Sequence, residues 1–298
     1  MRVVSIRPAS GPATGSDGSA DLPWWSFGKT ILAIAALRLV EMGQLQLDTP
    51  IADKPYTLRQ LLQHRSGLGN YGRLADYHRA VAAGEPHWPV AELLRRTAGD
   101  RLRYAPGTGW LYSNLGYLEI RRLIEQASGL ALGAALHDLV LAPAGAQRAR
   151  IANAPDDLHD VEMGGQIYDP GWVYHGLIVG PLDDATLVLH RLLSGALLSP
   201  AMLEAMRTAH PLPEHRSAAL TDPGYGLGLM TNRTAAGARI AGHGGSGPGS
   251  NVAVFVLERG EGVATGAIWS TDDSPETLEA QIIAMLENPA PELQSPTR

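Results

Sequence analysis

Residues 23–37 read PWWSFGKTILAIAAL, and the fold turns on how that run is parsed. Gly28-Lys29-Thr30 resembles the close of a phosphate-binding loop. Ser26 and Lys29, three residues apart at the head of an apolar run, resemble a nucleophile and its amine partner. A phosphate loop needs a glycine five residues before Gly28 and a buried strand ahead of it. Position 23 is proline, and GSADLPWW (18–25) is no buried strand. A second glycine pattern, Gly242, Gly244 and Gly247 in GHGGSG, formally fits the dinucleotide fingerprint, but the strand-like NVAVFVLE follows it where a helix is required. The Ser26–Lys29 reading fares better. Residues i and i+3 share a helix face, and a helix N-terminus offers unpaired N–H groups and partial positive charge. Both suit a serine whose attack on a carbonyl creates an oxyanion. The plainer alternative makes Ser26 a simple N-cap.

Bulk properties narrow the field. The 298 residues carry a net charge of −6 with no basic run, which argues against nucleic acid. No apolar stretch reaches the ~18 residues of a membrane span, and the longest, 31–40, contains Arg38. The first twenty residues lack the apolar core of a secretory signal and cysteine is absent, so a cytoplasmic location is expected. The histidines show no His-x-x-x-His or His-Glu-x-x-His spacing, so neither metal nor cofactor is expected. Of the 24 basic residues only Lys29 and Lys54 are lysines. Arginine cannot give up its proton in a protein and lysine can, so a lysine retained beside a serine invites a proton-transfer role. Lys54, in the loop IADKPYT, carries no such suggestion.

Element patterns divide the chain. RVVSI (2–6) reads as a short strand and residues 8–23 as loop. A buried helix is predicted from Ser26 to Met42, ended by Gly43. TLRQLLQH opens with Thr57 and Gln60 spaced as a capping box. Further helices are predicted over 89–96, over 115–127 behind Ser113 or Asn114, in LALGAALHDLVLAP up to Pro143, in DDATLVLHRLLSG, and in SPAMLEAMR with Ser199 as cap. After about residue 220 the period changes to strands, in ARIAGHGG, NVAVFVLE and GVATGAIWS. SPETLEAQIIAMLE closes the chain as a helix capped by Ser274. The expected architecture is α+β: an antiparallel sheet flanked by the terminal helices, from residues 1–50 and 220–298, with a mainly helical domain inserted over 51–219. A ligand cleft is expected between the two parts.

Two further motifs follow Ser26-x-x-Lys29 in order: Tyr112-Ser113-Asn114 in PGTGWLYSNLGY, and His243-Gly244-Gly245 at a strand end. In this order, Ser-x-x-Lys, Tyr-x-Asn and His-x-Gly resemble the motif set of class C β-lactamase-like serine hydrolases. That group includes family VIII esterases, D-aminopeptidases and D-Ala-D-Ala carboxypeptidase-like enzymes. LRLVEMGQLQLDTPI, TLRQLLQHRSGL, GLIVGPLDDATLVLHRLLSGALLS and YGLGL are also similar to family segments, so the resemblance covers about residues 25–270. The chain departs from the pattern in two ways. Only 25 residues precede the serine, where the family usually places two strands, so the sheet is expected to be shorter by a strand. The third motif begins with His243 instead of lysine, which weakens the expectation of β-lactam turnover.

The residues then take roles. Ser26 is the expected nucleophile of an acyl-enzyme. A neighbouring ammonium favours phenolate, so Tyr112 is read as general base and later proton donor, with Lys29 as relay. Lys29 as the base is the open alternative, since the two can titrate as one unit. Asn114 is expected to orient Lys29 or a substrate amide. The resemblance implies that the His243–Gly245 strand lines the substrate site and that the backbone N–H groups of Ser26 and Ser246 form the oxyanion hole. Tyr168, Trp172, Tyr174 and His175, with Trp25 or Tyr225, are candidates for lining an acyl or leaving-group pocket. The expected function is hydrolysis of a small-molecule ester, amide or β-lactam, foremost by an esterase. The alternatives are a non-catalytic β-lactam or peptide sensor, a D-amino-acid amidase, and an acyltransferase.

Overall fold

The computed structural model describes residues 2–7, 14–15, 20–216, 221–259 and 262–288. In chain order the strands are β1 (Arg2–Arg7), β2 (Thr14–Gly15), β3 (Leu22–Pro23), β4 (Arg150–Ala152), β5 (Leu177–Gly180), β6 (His210–Pro211), β7 (Gly224–Tyr225), β8 (Met230–Arg233), β9 (Arg239–Gly247), β10 (Ser250–Arg259) and β11 (Gly262–Ser270). The helices are α1 (Gly28–Glu41), α2 (Leu58–Leu62), α3 (Ala75–Ala82), α4 (Val90–Thr97), α5 (Asn114–Ser128), α6 (Leu132–Leu136), α7 (Ala142–Ala144), α8 (Leu182–Leu193), α9 (Pro200–Arg207) and α10 (Pro275–Glu287).

Eight strands form one antiparallel sheet in the order β2-β1-β11-β10-β9-β8-β7-β6. NVAVFVLE is apolar without alternation because β10 is covered on both faces. Val252, Val254 and Val256 point into the main core. Ala253, Phe255 and Leu257 point the other way, against Leu278, Ile282, Ile283 and Leu286 of α10. Each of these side chains larger than alanine contributes about 1.5–3 kcal/mol on burial. The expected α+β class holds, with one difference in detail. The face opposite α10 is covered by α8, which packs on β1, β10 and β11. Helix α1 covers no sheet face. Residues 31–37 of α1 are buried on every side, so the helix needs neighbours all round and finds them in α5, α6 and the turn before α7.

Other expectations are corrected. The mainly helical stretch carries a second sheet, β3-β5-β4, and residues 8–23, read as loop, supply β2 and β3. The rest of that loop, 8–13 and 16–19, lies outside the described residues. Both β1 and β2 precede Ser26 and join the large sheet, so the expected loss of a strand is not seen. The helix predicted to stop before Pro143 runs through it to Ala144 and ends at Gly145 with φ +80°. A π-helical turn at His137–Leu141 widens the register ahead of the proline and leaves room for its ring. Among the described residues no single helix is long and apolar enough to cross a membrane.

Candidate active site

The serine is presented by a constrained elbow. Strand β3 pairs with β5 through Leu22↔Gly180 and Pro23↔Val179. Trp24 extends that link, its backbone N–H donating to the Ile178 carbonyl at 2.9 Å and its indole to the Gly180 carbonyl at 3.1 Å. Trp25 then turns the chain with φ +42°, a left-handed conformation that costs a bulky residue about 1–3 kcal/mol and must be held by its surroundings. Its buried ring is held by an indole hydrogen bond to Ser250 Oγ at 3.0 Å and an edge contact with Tyr168. A single 3₁₀ turn, Trp25–Phe27, precedes α1, so the helix starts two residues later than predicted. Ser26 Oγ makes no capping bond. It accepts from Lys29 Nζ at 3.1 Å.

Strand β9 closes against this elbow, which explains its glycines. A Cβ at Gly245 would stand 2.8 Å from Ser26 N, and one at Gly247 would enter the Trp25 ring at 2.4 Å. Only bare backbone fits there, so Ser246 arrives beside Ser26 in the wall of the same hollow.

Lys29 is fully buried. Its Nζ lies 4.9 Å from the centre of the Tyr112 ring and 3.4 Å from His175 Nε2. No carboxylate pairs with it among the described residues, and burial holds its pKa well below the ordinary lysine value. Tyr112, at the end of the segment leading into α5, lies beside Ser26, and burial raises its pKa. Both shifts run against a phenolate stabilised by an ammonium and toward the open alternative in which Lys29 is the base. Burial thus favours the uncharged form of both groups, outweighing the lowering influence of Ser26 on the phenol. Ser113, not Asn114, caps α5, its Oγ accepting from Gly116 N–H at 2.9 Å. Asn114 is thereby free to face the Ser26 hollow, and its Oδ1 is buried without a partner.

His243 is neutral. Burial pushes its pKa down to about 3. Its Nε2 accepts from the Tyr225 hydroxyl at 2.8 Å while Nδ1–H donates to the Gly244 carbonyl, so one neutral tautomer satisfies both bonds. His64, in the segment LLQHRSGL and given no role by sequence reasoning, is buried against the rings of Tyr112, Tyr117 and Tyr225. Its Nδ1 accepts from Ser113 N–H at 3.0 Å. Burial depresses its pKa too, and that of His175.

Of the pocket candidates, Trp25, Tyr168, Trp172 and His175 line a small hollow of about 60 Å³ at Ser26, together with Tyr71 and Tyr77. Tyr174 does not. Its hydroxyl donates to the Trp88 carbonyl at 2.8 Å, and it borders a separate cavity with His87 and Arg121. Tyr225 and Tyr112 line a larger cavity of about 720 Å³ toward α10. Lys54 is exposed on a loop away from Ser26. Among the described residues no group of three or more His, Asp or Glu is gathered to hold a metal ion.

A large antiparallel sheet with helices packed on it brings a serine, a buried lysine and a tyrosine together, the arrangement of the β-lactamase-like fold. The chain belongs to the Beta-lactamase family, whose profile matches residues 22–287. It is 36% identical over 140 residues to esterase EstB of Burkholderia gladioli, covering 40% of this chain and 36% of that protein. It is 30% identical over 158 residues to penicillin-binding protein 4* of Bacillus subtilis, covering 48% and 34%. These matches thus span about a third of either relative's length. In structure it is similar to the D-amino acid amidase of Ochrobactrum anthropi SV3, with a TM-score of 0.77 at 19% identity over 96% of this chain and 94% of the other.

Proposed function

We propose that the protein is a serine hydrolase that cleaves small-molecule esters through an acyl-enzyme on Ser26, amides being the harder substrates of the same machinery. The observation that carries this reading is the buried, carboxylate-free amine of Lys29 hydrogen-bonded to Ser26 Oγ at 3.1 Å. An amine whose pKa burial lowers is a better general base near neutral pH than an exposed one, and this one is within reach of the hydroxyl. Lys29 takes the Ser26 proton as Oγ attacks the carbonyl carbon. The backbone N–H groups of Ser26 and Ser246 receive the oxyanion. On collapse, Tyr112 gives its phenolic proton to the departing oxygen or nitrogen, and the proton on Lys29 returns to the phenolate. Water then attacks the ester carbonyl, losing a proton to Lys29, and Ser26 Oγ leaves with that proton. Asn114 Oδ1, buried and unpartnered, is placed to hold the substrate or the charged amine.

Neutral His243 favours esters over β-lactams. The strand beside the serine offers no cation to a β-lactam carboxylate, and a hydrogen bond from a neutral donor is roughly half as strong as a charge-assisted one. The name of the relative EstB supports the ester reading. A cytoplasmic setting remains part of the proposal, supported by the cysteine-free composition. The test is a panel of p-nitrophenyl esters, D-alanyl amides and a chromogenic cephalosporin, with a fluorophosphonate probe and mass spectrometry of the adduct. Ester turnover with the label on Ser26 is expected. A stable Ser26 adduct without turnover would make the chain a sensor, and a label elsewhere would overturn the assignment.

A further inference from the structure

Tyr112 belongs to two places at once. Its hydroxyl lies beside Ser26, and the residue forms part of the wall of the 720 Å³ cavity beneath α10. A proton donor must touch the atom it protonates, so the group that departs lies on the Tyr112 side. The acyl part is left with the 60 Å³ hollow at Ser26. The two volumes are very unequal, which points to a small acyl group and a large leaving group.

The large cavity has a distinct chemistry. Its wall is mostly apolar and aromatic, including Trp110, Tyr112, Tyr225, Met230, Phe255 and Ile283, and among the described residues it contains neither lysine nor arginine. Glu279 of α10 faces into it. One carboxylate oxygen lies over Gly244 of the His-Gly-Gly segment, so close that a Cβ there would stand 2.5 Å from it. Among the described residues nothing donates a hydrogen bond to this carboxylate and no cation pairs with it. The other charged or titratable groups in the wall are Glu276 and Glu287 on α10, His215, and the two tyrosines Tyr112 and Tyr225. Glu276 accepts from Ser274 Oγ at 2.9 Å.

We propose that this cavity receives the leaving group of the substrate and that Glu279 selects leaving groups with an ammonium or other organic cation on an apolar, preferably aromatic, body. The inference rests on the hydrolase reading above. A carboxylate set among aromatic faces is complementary to such a cation, which gains an ion pair and ring contacts together. Burial, then the charge of Glu276, raises the Glu279 pKa to about 7, so the preference is a property of the neutral and alkaline range.

The test compares two acetate esters of matched shape, 3-acetoxyphenyl-trimethylammonium and 3-tert-butylphenyl acetate, each corrected for its rate with hydroxide. The wild-type kcat/KM ratio of cationic to neutral ester is expected to be about tenfold above unity and to fall about tenfold in Glu279→Gln. The wild-type ratio is also expected to fall as pH drops through about 7, a dependence that Glu279→Gln abolishes. A ratio unchanged in the variant overturns the proposal. Should the variant fail to fold, a wild-type ratio that stays flat from about pH 8.5 to about pH 5.5 does the same. Cleavage of both esters without cation preference, with the fluorophosphonate on Ser26, removes this inference and leaves the hydrolase reading intact. Cleavage of neither, with Ser26 unlabelled, removes both.

Discussion

Lys29 Nζ donates to Ser26 Oγ at 3.1 Å from a position with no solvent exposure. Desolvation favours the uncharged amine, and no carboxylate is at hand to oppose it. The base therefore becomes active at pH values far below those at which an exposed lysine loses its proton.

The pH profile follows. kcat/KM is expected to rise as Lys29 deprotonates, with its limb well below the ordinary lysine pKa, and then to hold level until Tyr112 ionises in the far alkaline range. Lys29→Arg keeps a cation but cannot yield a proton, and is expected to lose activity by about 10³ or more. Ester hydrolysis across the pH range measures both. A limb at the ordinary lysine pKa, or an active arginine variant, would show that the base is another group.

Stability should rise with pH as activity does, and substitution of the lysine should separate the two. The folded pKa of Lys29 lies below its unfolded value, so between the two the unfolded chain binds the extra proton and stability rises with pH. The burden of burying this amine is largest below the folded pKa and disappears above the unfolded one. Lys29→Met is expected to stabilise the fold by about 1–3 kcal/mol at neutral pH while abolishing turnover. Urea unfolding is the measurement, and a destabilised Met variant would contradict the account.

Gly245→Ala should damage chemistry more than folding. The new methyl meets Ser26 N at 2.8 Å and Trp24 O at 3.0 Å, so β9 must retreat and carry Ser246 away from the serine. Loss of one oxyanion donor typically lowers kcat by about 10²–10³. A variant with wild-type kcat would place the oxyanion elsewhere.

Trp172→Ala should widen the acyl hollow. The ring packs edge-on against Trp88 and Tyr77, and its indole donates to the Glu85 carbonyl at 2.9 Å. Its loss is expected to cost about 3–5 kcal/mol of stability and to shift ester preference toward longer acyl chains. An unchanged chain-length series would remove Trp172 from the acyl site.

Much of this was legible in the sequence because it is local. The capping box of Thr57 and Gln60 forms as spaced, and β9, β10, β11 and α10 appear where their periods change. The order of Ser26, Tyr112 and His243 foretold a cluster that the fold assembles. What was not legible depends on distant neighbours. Strand β5 is four apolar residues without diagnostic period, and it is a strand only because β3 and β4 flank it. His64 ends the predicted helix TLRQLLQH with nothing to single it out, and its burial against three tyrosines has no trace in spacing. The choice of base between Lys29 and Tyr112 stayed open for the same reason: motif spacing says who stands beside the amine, whereas burial sets the direction of its pKa.

The strained tryptophan next to the nucleophile also equips the protein with an optical readout. Trp25 adjoins Ser26 directly, and the Trp172 indole borders the same hollow. An acyl group arriving on Ser26 changes the polarity around both fluorophores, so formation and decay of the covalent intermediate can be followed in stopped flow by intrinsic emission, with no dye attached and no chromogenic substrate required.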